Sequence, residues 1–291
     1  MDVKQIGKIV KELRLSRGIS LKEATGQEFS ASMLSRFENG ESDLTTLKLL
    51  TVLENIRTEP SEFFYLVRGF QPSAYTLLMT KIREAQDKND VEYLWECYYE
   101  ARRTYKETGK ASFLLNALMI KGSIQLLDSS VAASQEELDF LYDYLFSVDI
   151  WGEYELKVFT EIAVLLPLES YFRYCREMLN KIDYFEEFFL IRNRIHTILL
   201  NGLFLALDKK DIHKANYFDK QLQIRFFEEN ETHLRIVYRF ALGMLDYLTG
   251  HQEEGKVKMQ EVVHILETLD CHNVATYYRE AMKEVLAAKK E

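Results

Sequence analysis

Apolar positions in the first forty residues come in short helical bursts. Ile6, Ile9, Val10 and Leu13 recur at i, i+3, i+4 and i+7, which makes one apolar face of a first helix that Gly18 ends. Ser20-Leu21-Lys22-Glu23 is a capping box: the serine hydroxyl and the glutamate carboxylate each satisfy a backbone donor of the other residue and start a second helix. Gly26 keeps that helix short. Ser30 offers another cap, and residues 31–39 form a third helix closed by Gly40. Leu34 and Phe37 are spaced to face inward on it, which leaves Ala31, Ser32, Ser35 and Arg36 as its leading and outer residues. A longer helix followed by two short ones across a tight turn is a helix-turn-helix pattern. Pro60 fits the first turn of a further short helix over 61–66, where its missing N–H costs nothing. Arg68-Gly69-Phe70-Gln71-Pro72 then breaks the periodicity.

Beyond the break the pattern changes to longer helices separated by brief polar gaps. The periodicity predicts them near 73–86, 90–107, 111–128, 135–148, 151–166, 168–183, 187–207, 212–228, 231–249, 252–269 and 272–289. Pairs of about 40 residues approach the spacing of tetratricopeptide or HEAT repeats. The expected fold is therefore all-α: a five-helix helix-turn-helix domain over 1–66, a linker at 67–72, and a tetratricopeptide-like repeat domain over 73–291. Stacked helix pairs create a concave surface, and such a surface suits an elongated ligand.

Charge adds a direction to this outline. The 37 Lys and Arg against 46 Asp and Glu give a net charge of −9, which argues against a polybasic membrane binder. Residues 1–36 hold seven basic and four acidic side chains, a local +3 that leaves −12 for the rest. Lys8, Lys11, Arg14 and Arg17 are therefore placed to neutralise DNA phosphates, and Asn39 at the end of the third helix to hydrogen-bond one. Arg36 can take guanine through two parallel hydrogen bonds, with Ala31, Ser32 and Ser35 permitting close approach in the major groove. The same basic residues are equally at home on a solvated helix. No run of about 18 apolar residues occurs, and the first residues carry charge where a secretion signal places its apolar core, so a cytoplasmic location is expected. Cys97, Cys175 and Cys271 are far apart and form no Cys-x-x-Cys pair; inert, buried thiols are expected, with no metal site.

Specific segments sharpen the reading. Met33-Leu34-Ser35-Arg36-Phe37-Glu38-Asn39-Gly40-Glu41-Ser42 resembles the recognition-helix end of phage-repressor-like domains, particularly in the Rgg/GadR/MutR regulators of low-GC Gram-positive bacteria. Arg68-Gly69-Phe70, Tyr144-Leu145-Phe146-Ser147-Val148-Asp149 and Trp151-Gly152-Glu153-Tyr154-Glu155-Leu156 continue the resemblance in order along the chain. The resemblance implies a homodimeric transcription regulator that binds promoter DNA and a short, re-imported signalling peptide. Two departures qualify it. Some relatives carry a subunit-bridging cysteine just after the recognition helix, where this chain has Thr46. One subgroup carries an arginine after the tryptophan motif, where this chain has Val164, so a preference for acidic peptides does not transfer.

On the helix over 187–207, Arg194, Ile198, Asn201 and Leu205 share a stripe at i, i+4, i+7 and i+11. An asparagine amide donates and accepts at once, so Asn201 can hold a peptide backbone, and it matches an asparagine that the related regulators place there. It can equally satisfy a neighbouring helix end. Arg194 can meet a peptide carboxylate or make a structural ion pair.

The chain contains none of the phosphate-loop, dinucleotide, nucleophile-elbow or zinc-hydrolase motifs. Glu261-x-x-His264 occurs once, whereas a di-iron bundle needs two copies and further glutamates. No enzyme and no cofactor are expected. The competing class is a helical-repeat interaction scaffold without sequence-specific DNA binding.

Overall fold

A computed structural model describes residues 3–182 and 189–287. Among these the secondary structure is helical, and the chain divides into two compact units, 1–84 and 85–291. The segment 68–73 separates α5 from α6, one residue later than the expected linker at 67–72, while the division between the units falls inside α6 (Ala74–Asp87).

The amino-terminal unit begins with α1 (Val3–Ser16), α2 (Leu21–Thr25), α3 (Ala31–Glu38), α4 (Thr46–Asn55) and α5 (Pro60–Val67). The capping box is formed: Ser20 Oγ accepts from the Glu23 N–H at 3.2 Å, and Glu23 accepts from the Ser20 N–H at 2.7 Å. Ser30 Oγ accepts from the Met33 N–H at 3.3 Å and starts α3. The helices close over Val10, Ala24, Leu34, Phe37, Val52, Leu53, Ile56, Phe63 and Val67, with Ile6, Ile9 and Leu13 at the margin. Burial of this apolar set is the main force holding α3 in place.

The carboxy-terminal unit continues with α7 (Val91–Thr108), α8 (Ala111–Leu127), α9 (Gln135–Ser147), α10 (Glu153–Ile162), α11 (Leu168–Lys181), α12 (Phe189–Asp208), α13 (Ile212–Ile224), α14 (Thr232–Leu248), α15 (Gln252–Thr268) and α16 (His272–Ala287). A single 3-10 turn, Ala163–Leu165, shortens α10 relative to the expected 151–166. The expected ends at residues 183, 187–188 and 288–289 lie outside the described residues. α10 packs on both α8 and α12, and α12 packs on both α10 and α14, so alternate helices form one continuous row. α7, α13 and α15 pack against α8, α12 and α14 respectively, which is the two-layer arrangement of stacked helix pairs. Glu137 ties three of the helices together, accepting from Tyr98 Oη of α7 and Lys121 Nζ of α8, each at 2.6 Å. Cys175 is buried, Cys97 half-buried and Cys271 exposed, and all three are free, so the expectation of buried thiols fails for Cys271. Glu261 is engaged by Arg239 Nε at 2.9 Å.

Close backbone contact fixes the α14–α15 pair. A Cβ at Gly255 would meet the carbonyl oxygen of Gly243 and lie 2.6 Å from the Tyr247 nitrogen, both backbone atoms that cannot rotate aside. Gly255→Ala should therefore destabilise the unit by about 1–3 kcal/mol through overpacking. Helix propensity alone predicts the opposite, a gain of about 1 kcal/mol for alanine over glycine. Urea unfolding followed by tryptophan fluorescence decides the sign, and a more stable variant would mean the helices separate freely.

Candidate functional site

Two regions, one in each unit, collect the residues singled out by sequence. In the first, α3 stands with Leu34 and Phe37 in the core and Ser32 and Arg36 exposed, while Ala31 and Ser35 are half-buried. The Arg36 guanidinium has no hydrogen-bond or ion-pair partner among the described residues, so its five donors face solvent. Ser32 Oγ lies 3.2 Å from Ser30 Oγ at the leading end of the helix. Lys11 reaches from α1 to the other end of α3, donating to Asn39 Oδ1 at 3.1 Å. Lys8 is exposed and 3.6 Å from Glu12 on its own helix, an arrangement that leaves its charge available.

Arg14 does not belong to this surface, contrary to the phosphate role expected of it. It is buried, its Nε and Nη2 donate to the two carboxylate oxygens of Glu38 at 2.7 and 2.8 Å, and its Nη1 donates to the Ile19 carbonyl at 2.8 Å. The hydrogen bonds to Glu38 raise the guanidinium pKa further. Arg14 is thus a fastener between α1, the following turn and the last turn of α3. Arg17 is exposed but engaged, donating to Thr58 Oγ1 at 2.8 Å with Glu62 at 3.7 Å.

The second region is a cleft in the carboxy-terminal unit. A cavity of ≈ 550 Å³ is bounded by α8, α10, α12, α14 and α16, with Phe204, Phe240, Tyr277 and Tyr278 among its aromatic walls. A neighbouring cavity of ≈ 440 Å³ continues along α12 and α14 and is more polar, with Asn193, Thr197, Asn230 and His233. Asn201, Val237 and Tyr278 line both, so the two make one elongated depression that meets at the Asn201 side chain. The Asn201 amide makes no hydrogen bond among the described residues.

The cleft-lining stripe of α12 keeps Asn201 and Leu205 of the expected one and shifts by one residue in the turns before them. It runs through Asn193, Thr197, Asn201, Phe204 and Asp208. Ile198, expected to contact a peptide, is fully buried instead, and its carbonyl accepts from Tyr171 Oη at 2.7 Å. The reason is packing on several sides: α12 is held by α10, α11, α13 and α14, so an apolar residue on it points into protein more readily than into a groove. Arg194 is half-buried and lines neither cavity, whereas Leu205 lines the larger one. Sequence reasoning passed over Asn193, Thr197 and Asp208, although polar residues repeating along one face of an otherwise apolar helix were the available signal.

A buried polar cluster underlies the smaller cavity. His196 Nε2 lies 2.6 Å from the Arg225 carbonyl, a contact that requires the proton on that nitrogen. Nδ1 then faces Glu231 Oε1 at 3.5 Å, with burial lowering the imidazole pKa. Glu231 Oε2 accepts from the Glu228 N–H at 2.7 Å, so this cavity-lining carboxylate is fixed from below.

Comparison with known proteins agrees with this architecture. Residues 96–280 match the family described as HTH-type transcriptional regulator Rgg, C-terminal domain. The SHP pheromone receptor Rgg2 of Streptococcus dysgalactiae superposes with a TM-score of 0.82 at 22% identity, over 96% of this chain and 99% of that one. A transcriptional regulator from Listeria monocytogenes gives a TM-score of 0.82 at 20% identity, with 98% of both chains covered. PrgX in complex with iCF10 gives 0.75 at 12% identity, over 98% of this chain and 97% of that one. The structural likenesses establish the fold, and the family match, which spans most of the chain and nearly all of the cleft, establishes descent: this protein belongs to the Rgg family of HTH-type transcriptional regulators.

Proposed function

We propose that this chain acts in the cytoplasm as a homodimeric transcription regulator, reading promoter DNA through α3 and responding to a short signalling peptide held in the cleft along α12. The observation that carries the DNA half is the free Arg36 guanidinium on a helix whose inner face is locked by Leu34 and Phe37. Ala31, Ser32, Ser35 and Arg36 are its base-reading residues, and Lys8, Lys11 and Asn39 its phosphate contacts. A two-fold dimer presents two such helices to half-sites about one helical turn apart. The peptide half is supported by the unpaired Asn201 amide at the meeting point of the two cavities. It is also supported by Rgg2 being a pheromone receptor and by PrgX having been captured with iCF10. Arg194, which lines neither cavity, is left out of the peptide contacts.

Footprinting of the purified full-length protein on fragmented genomic DNA, with and without the peptide fraction of spent culture medium, tests both halves together. Specific protection of paired half-sites, altered by that fraction, is the expected result. Binding to every fragment alike would sink the regulator reading. Asn201→Ala should lower affinity for the active peptide about 2- to 12-fold, in line with the ~0.5–1.5 kcal/mol of a typical hydrogen bond, and leave DNA binding by the free protein unchanged. An unaltered peptide titration would remove Asn201 from the site.

A further inference from the structure

We infer that the cleft selects a cationic peptide, with the positive group seated where α10, α12 and α16 converge; this inference rests on the peptide-binding reading above. The larger cavity is lined by three carboxylates, Glu161 of α10, Asp208 of α12 and Glu284 of α16, and by no lysine or arginine. Val164, an apolar residue, lines the same cavity. The Asp208 pKa is raised, first by burial; the charge of Lys209, which is not part of the lining, opposes that rise, and the like charge of Glu284 adds a smaller repulsion. A cation between them removes that repulsion, whereas an acidic group adds to it.

The carboxylates border a cavity with an independent mark of a ligand. Tyr278 is 9% exposed and lines both cavities, and its hydroxyl has no hydrogen-bond partner among the described residues. The hydroxyl is not among the sealed, unpartnered polar atoms of the described residues, so on an otherwise buried side chain it is the part that opens to the cavity. Here a peptide carbonyl or N–H passing Asn201 can supply the partner. The occupant that fits is an apolar peptide whose body packs on Phe204, Phe240 and Tyr277, whose backbone meets Asn201 and Tyr278, and whose ammonium or guanidinium reaches Asp208 and Glu284. That charge can come from a Lys or Arg side chain or from the free amino terminus.

A library of randomised synthetic octapeptides, one half with free and one half with acetylated amino termini, separates these cases when passed over the immobilised full-length protein. The expected retained pool is at least tenfold richer in Lys and Arg than in Asp and Glu among the acetylated peptides. Enrichment confined to the free-amine half would assign the cation to the amino terminus and equally support the inference. The Asp208→Asn/Glu284→Gln variant should keep retaining apolar peptides while losing the preference for positive charge. Retention without charge preference, or with preference for acidic peptides, overturns the cation inference and leaves peptide binding standing. Retention of no peptide overturns both.

Discussion

Glu38→Ala should destabilise the amino-terminal unit by about 3–5 kcal/mol, the usual penalty for stranding one member of a buried ion pair. That is a large part of the ~5–15 kcal/mol stability of an ordinary domain. The pair is almost sealed, with side-chain exposures of 7% for Arg14 and 2% for Glu38. Without Glu38, the Arg14 guanidinium stays fully charged and buried, with the Ile19 carbonyl as its remaining partner. Replacing both members by apolar residues of similar size, Arg14→Met with Glu38→Leu, should recover most of the loss, because desolvation offsets much of a buried pair's attraction. Both tryptophans, Trp95 and Trp151, lie outside residues 1–84, so fluorescence does not report this unit. Hydrogen exchange of the amides in α1 to α5 does. Faster exchange throughout those helices in Glu38→Ala, with α7 to α16 unchanged, is the expected pattern, and wild-type protection in α3 would contradict the fastening role.

The same pair shows what the sequence could and could not disclose. Its company of Lys4, Lys8 and Lys11 made Arg14 look like one more surface cation, although its four-residue spacing from the buried Val10 places it on the inner side of α1. Its true partner is 24 positions away, and no local pattern records a tertiary ion pair across that distance. Features written into adjacent residues were legible: the Ser20 and Ser30 caps, the inward Leu34 and Phe37, and the polar gaps between the long helices.

α12 shows a different limit. Periodicity identifies a face only when one side of a helix is solvated, and α12 is apolar on most sides because neighbours pack around it. A stripe through Ile198 and one through Thr197 are then equally plausible on spacing alone. Asn201 drew notice because an amide donates and accepts at once and, between Leu200 and Leu203, needs a partner or an opening. Tyr278 was not, since its place at the cleft depends on α16 returning to lie beside Phe240 of α14, with ring centres 4.7 Å apart.

Arg36→Ala should lower the preference for cognate over scrambled duplex by about 5- to 150-fold, the ~1–3 kcal/mol that a bidentate arginine–guanine contact contributes to discrimination. The size of the effect follows from the free state of the side chain. Arg36 breaks no internal bond on binding, so its interaction with a base is not offset by one lost inside the protein. Arg36→Lys should restore affinity for both duplexes and only part of the selectivity, because an ammonium supplies charge without the fork of parallel donors. Lys8→Ala supplies the contrast: affinity for cognate and scrambled duplexes should fall together, and the slope of log affinity against log salt should shrink by about 0.9 for each phosphate contact removed. Fluorescence anisotropy at several salt concentrations, with a cognate site selected by the wild-type protein from randomised duplexes, measures all four quantities at once. If Arg36→Ala instead weakened both duplexes equally while Lys8→Ala erased selectivity, α3 would be lying along the backbone, and the base-reading surface would have to be sought on another helix.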